Sequence, residues 1–153
     1  MLASTPVLSA QRATVAIHYV QPAHFTDFSI YGRSYQWSTS YFATQISDDL
    51  APALERKVPG GKLTLAFTDI DLAGHYHSRG GSSVRVSRGE IRPARMSFAF
   101  VLQDSSGRNL ASGSTRIIDN SSQSSMAHHA RRSGPLSYEK RMLERWLRSL
   151  KTS

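Results

Sequence analysis

The sequence predicts an α+β fold: a two-layer sandwich with a mostly antiparallel sheet of about four to five strands and two helices packed on one face. Two observations carry that prediction. Segments that alternate with period two and segments that repeat every three to four residues follow one another in the order β-α-β-(β)-β-β-α. Both helical segments are amphipathic, so each has one face to bury against a sheet.

Thr14 to Val20 alternates, with Val15, Ile17 and Tyr19 on one side, and reads as the first strand, ended by Pro22. A loop with Phe25, Asp27, Phe28 and Tyr31 follows. From Gln36 to Val58 the spacing is helical: Trp37 and Tyr41 lie four apart, as do Phe42, Ile46, Leu50 and Leu54. Pro52 inside this stretch lacks a backbone donor and is expected to kink the helix or divide it in two. Pro59-Gly60-Gly61 marks its end.

Lys62 to Leu72 is the strongest strand, alternating through Leu63, Leu65 and Phe67. The following twenty or so residues are polar and glycine-rich, with one short strand expected at Ser83 to Ser87. Ala94 to Gln103 alternates through Met96, Phe98, Phe100 and Leu102. Asp104-Ser105-Ser106-Gly107-Arg108 is a turn, and Asn109 to Ile118 is the returning strand of a hairpin. Residues 119–134 show no periodicity and read as a long surface loop. Leu136 to Leu150 closes the chain as a helix, with Leu143, Trp146, Leu147 and Leu150 on one face and a basic back.

The 153 residues fit one domain. We place it at 13–151, preceded by a leader at 1–12 that is either disordered or the remnant of a signal peptide. The sequence has no cysteine, which excludes disulfides and thiol catalysis. No run approaches the roughly 18 apolar residues of a spanning helix.

The net charge of +8 is unevenly spread. Residues 79–95 hold Arg79, Arg85, Arg88, Arg92 and Arg95 against Glu90 alone, and residues 128–153 are again basic. Guanidinium groups bind phosphate and carboxylate bidentately, so the first block favours an anionic partner. Asp69 or Asp71 could orient these arginines, and Gly80-Gly81 would let a backbone approach a ligand closely. A structural salt-bridge network is the plainer use of the same residues.

Asp69, Asp71, His75 and His77 permit a sharper reading. All four fall at odd positions, so an unbroken strand would present them on one face as mixed carboxylate and imidazole ligands for zinc, manganese or iron. Such a metal would activate water for hydrolysis. That reading requires a bulge or strand end near Asp69, because Leu63, Leu65 and Phe67 occupy the same face. The plainer alternative has both aspartates capping turns and pairing with arginines. Nucleic-acid binding is a further alternative, given a pI near 10.3. However, Tyr31, Tyr35, Trp37 and Tyr41 are remote in sequence from the arginine block. His128-His129 reads as a solvated loop, and no serine-hydrolase motif is present.

Several blocks together resemble a proteobacterial family of unknown function, domain-of-unknown-function family 3016. They are Pro22-Ala23-His24-Phe25-Thr26-Asp27; Asp69-Ile70-Asp71-Leu72-Ala73-Gly74; Gly80-Gly81; Val84-Arg85-Val86; Pro93; Ser112-Gly113; Asp119; and Pro135 to Leu143 with Trp146. The resemblance implies a small exported protein resident in the periplasm, and it implies no activity. His75 and His77 stand outside its pattern. The expected function is therefore a non-enzymatic, periplasmic binding domain without a cofactor. It would use Asp69, Asp71, Arg79, Arg85, Arg88, Arg92 and Arg95 to recognise an anionic envelope component or a protein partner. A metal-dependent hydrolase and a nucleic-acid-binding protein are the alternatives.

Overall fold

The computed structural model describes residues 11–79, 82–86, 93–119 and 136–153, and for 75–79 and 82–86 it describes the backbone. The elements in chain order are β1 (Thr14–Tyr19), a 3-10 turn (Pro22–His24), α1 (Tyr35–Lys57), β2 (Lys62–Asp71), β3 (His75–Arg79), β4 (Ser82–Val86), β5 (Arg95–Gln103), β6 (Asn109–Ile118) and α2 (Ser137–Ser149). The main sheet has the strand order β1-β2-β5-β6. β1 and β2 are parallel, as the α1 crossover between them requires, and the other two pairings are antiparallel. The predicted α+β sandwich is therefore the observed one, with four strands in the sheet and both helices on one face.

Alternation decides which side of each strand is covered. Leu63, Leu65 and Phe67 of β2 and Met96, Phe98 and Leu102 of β5 are buried beneath the helices. Phe42 of α1 meets Phe67 edge-on at 5.4 Å, and Trp146 of α2 meets Phe98 edge-on at 4.8 Å. These contacts bring both helices onto one aromatic layer, in the geometry aromatic pairs prefer. Phe42, Ile46, Leu50 and Leu54 are fully buried, as their spacing predicted. Trp37 and Tyr41 lie on a neighbouring, half-buried stripe, stacked on each other at 4.9 Å.

Of the two outcomes expected at Pro52, division of the helix does not occur: α1 runs through it as one 23-residue element. Pro52 lies on the exposed side, and burial of Ala53 and Leu54 holds the last turns in place. α2 buries Leu143 and Leu147 as predicted, with Met142 and Glu139 beside them, while Trp146 and Leu150 are half-buried. α1 ends where predicted: Gly60 takes φ +69°, and a Cβ on Gly61 would lie 2.9 Å from the Val58 carbonyl.

The region after β2 differs from the sequence reading. Residues 75–79 form a strand, β3, which pairs antiparallel with β4 in a separate two-stranded sheet. His-Tyr-His-Ser-Arg has no apolar alternation to signal a strand, and its only strand partner among the described residues is β4. The loop expected at 119–134 lies outside the described residues apart from Asp119.

Candidate functional site

β2 changes face at the position where the metal reading needed it to. The pairing with β5 shifts between Phe67 and Asp69, a β-bulge that leaves Thr68 exposed. After the bulge Ile70 points into the core, fully buried, and Asp69 does not. Asp69 accepts two hydrogen bonds from one residue, Thr26: the backbone N–H at 2.7 Å and the hydroxyl at 2.8 Å. Next to it, Asp27 donates its N–H to the Ile70 carbonyl and accepts from the Leu72 N–H. The Pro22–Asp27 segment thus continues the edge of β2 beyond the end of β1, through a parallel bridge between Asp27 and Asp71.

Asp71 is 6% exposed and stands opposite Arg95 in the β2–β5 register. Two residues further on, the buried Ala73 N–H donates to Glu139 Oε1 of α2 at 2.9 Å. Glu139 is 1% exposed. Asp119, also buried, donates its N–H to the Ala94 carbonyl where β5 begins. The blocks around Asp27, Asp71, Asp119 and Glu139 therefore meet at one end of the sheet. There they join the β1–α1 loop, the end of β2, the end of β6 and the start of α2. Asp69 and Glu139 each serve as acceptor for a backbone donor that the strands leave over, Thr26 N–H and Ala73 N–H.

Gly74, with φ +79°, follows this junction and opens the β3–β4 ribbon. A strand end at Asp71 and a left-handed glycine separate the aspartates from His75 and His77, which belong to the ribbon. The four residues do not share one strand face. Among the residues whose side chains are described, which exclude His75 and His77, no group of three or more histidine and acidic side chains is placed to hold a metal ion.

The described part of the arginine block divides between two settings. Arg79 and Arg85 are on the ribbon, with Tyr76 opposite Arg85 and Ser82 opposite Arg79 in its register. Arg95 begins β5 and is exposed. Arg88 and Arg92 lie outside the described residues.

At the opposite end of the sheet a polar cleft of about 300 Å³ is bordered by Arg12, Lys62, Gln103 and Asp104. Asp104 accepts from the N–H and hydroxyl of Ser106 and from the Arg108 N–H. These bonds hold its carboxyl below the usual carboxylate range, with the Ser106 hydroxyl contributing most. Asp104 is thus committed to the hairpin turn and is a poor general base.

Sequence reasoning passed over two further features. Arg33 lies over the Trp37 ring at 4.8 Å, and Tyr31 and Tyr41 close around the same tryptophan. The offset of four between Trp37 and Tyr41 signalled half of that cluster. Tyr31 at φ +53°, in the turn that brings it there, had no local signal. The second feature is a carboxyl pair between the helices, formed by Asp49 and Glu144.

A family model described as a protein of unknown function, DUF3016, matches residues 13–149. The chain belongs to the DUF3016 family. No curated protein and no solved structure matches it. The DUF3016 match covers every element of the fold, β1 to α2. The blocks that carried the resemblance include the residues that build the junction at the end of β2.

Proposed function

We propose that this DUF3016 protein is a non-enzymatic binding module whose β3–β4 ribbon carries arginines to an anionic component of the bacterial envelope. The periplasmic address implied by the family resemblance is the setting of this reading. One observation carries it: the ribbon pairs with no strand of the main sheet among the described residues, and it contains Arg79 and Arg85. An isolated two-stranded ribbon is marginally stable in water at best. A ribbon with two arginines, followed in sequence by Arg88, Arg92 and Arg95, gains most from a phosphate- or carboxylate-bearing surface. Asp69 and Asp71 belong to the junction before the ribbon, so their part is to hold the fold rather than to touch the ligand.

Vesicles of phosphatidylglycerol, with phosphatidylcholine vesicles as the control, test the reading. Basic residues contribute about 1 kcal/mol each near an anionic surface. Replacing Arg79 and Arg85 by Ala is therefore expected to weaken phosphatidylglycerol binding about thirtyfold, and added salt should weaken it further. Equal binding to both vesicles, or binding unchanged by the substitutions, overturns the proposal.

A further inference from the structure

α1 and α2 run side by side in the same direction, and the seam between them is polar. Gln45 Oε1 accepts from Lys140 Nζ at 3.0 Å near one end, and Lys57 Nζ donates to the Arg148 carbonyl near the other. Midway, Asp49 and Glu144 bring two carboxyl groups within hydrogen-bonding reach of each other. Asp49 Oδ2 is buried with no hydrogen-bond donor, and Arg141 Nη1 is buried with no acceptor. Both acids are half-buried. Two ionised carboxylates here would repel, and the buried oxygen would remain unsatisfied. One proton on the pair removes the repulsion and supplies the donor.

The surroundings do not neutralise the pair by other means. Along the seam α1 brings Gln45, Arg56 and Lys57, and α2 brings Lys140 and Arg148. Arg56 and Arg148, both exposed, favour ionisation of Glu144, but burial and then the Asp49 carboxyl outweigh them. β6, the strand in contact with α2, turns Ala111, Gly113, Thr115 and Ile117 inward by its register with β5. β1 presents Val15, Ile17 and Tyr19 to the core, and the Tyr19 hydroxyl donates to the Thr39 carbonyl.

We propose that Asp49 and Glu144 form a proton-controlled clasp between α1 and α2: sharing one proton they close the seam, and losing it they loosen α2 from α1. The direction follows from the residue type. Burial and the Asp49 carboxyl push Glu144 up from 4.5 to about 7. A folded-state value above the unfolded one means the clasp's contribution is complete below 4.5 and is lost as pH rises from there through about 7. The junction at the end of β2 holds the start of α2 through Glu139. Loosening is therefore centred on the turns around Glu144 and beyond.

Hydrogen exchange of the full chain, corrected for the intrinsic pH dependence, reads the clasp directly. Amides of α2 are expected to lose protection about five- to thirtyfold between about pH 5 and about pH 8, while the central strands β2 and β5 change little. Glu144→Gln keeps the shape and a donor but cannot ionise, so its α2 protection should be the same at both pH values. Asp49→Asn should behave likewise and serves if the first variant folds poorly. Fluorescence of Trp146 in a Trp37→Phe background gives a second readout of the same step. Wild-type α2 protection that does not change with pH, or a transition that survives in both variants, overturns the proposal.

Discussion

Replacing Asp69 by Ala removes both acceptors that hold Thr26, and the cost can be estimated from the structure. Each lost bond has a carboxylate acceptor and good length, 2.7 Å and 2.8 Å. Bonds to charged groups contribute about 1.5–3 kcal/mol when buried. Thr26 is exposed and Asp69 half-buried, so water replaces part of each, and we expect about 2 kcal/mol for the pair. Thr26→Val removes only the hydroxyl bond and should cost about 1 kcal/mol. The double variant should then show a coupling of about 1 kcal/mol, because Asp69→Ala has already removed that bond. Urea unfolding at neutral pH, followed by circular dichroism and fluorescence together, measures all three variants with a check on two-state behaviour. A metal ligand held for chemistry would behave differently, because removing functional acids is often neutral or stabilising. A cost below about 0.5 kcal/mol, or a divalent metal that stabilises the wild type but not Asp69→Ala, would refute the structural role.

The remaining predictions concern the other end of the same junction and the first turn of the sheet. Glu139→Ala leaves the buried Ala73 N–H without its Glu139 acceptor and opens space beneath α2, so urea unfolding should show a loss of about 2–4 kcal/mol. Glu55 accepts from the Gly60 and Ala13 N–H groups, and these bonds hold its carboxyl below its ordinary value, Gly60 contributing most. Its stabilisation is present above the ordinary value of 4.5 and is lost as pH falls through the depressed one. Glu55→Gln should therefore lower Tm at neutral pH and flatten the acid limb of a Tm–pH profile. An unchanged acid limb would contradict that assignment.

The parts of the fold legible in the sequence are those where period and burial coincide. β6 begins and ends at the predicted residues because a turn at Asp104–Arg108 and the pairing with β5 delimit it. The α1 stripe was legible because four residues at offsets of four all reach the core. The ribbon strand β3 was not, because its residues carry no apolar face and its pairing is with a neighbour only. At the site, the bulge near Asp69 was inferable from a clash of parity, since Asp69 could not share the Leu63–Phe67 face. Its partner was not inferable, because Thr26 is 43 residues away and is brought there by the β1–α1 connection. The same holds for Glu139, which meets Ala73 across 66 residues of chain. Burial of Glu139 also runs against its residue type, so a helical wheel reads it as solvent-facing. The Asp49–Glu144 pair escapes notice because like charges are not expected to meet, and a shared proton is invisible in composition.

The most direct test of the division of labour between junction and ribbon measures stability and phosphatidylglycerol binding on the same two variants. Arg79→Ala combined with Arg85→Ala should leave urea stability within about 0.5 kcal/mol of wild type while weakening vesicle binding about thirtyfold. Asp69→Ala should lose about 2 kcal/mol of stability and, while still folded, keep most of the binding. Binding that survives loss of both ribbon arginines, or fails in a folded Asp69→Ala protein, would contradict the assignment of anchoring to the junction and contact to the ribbon.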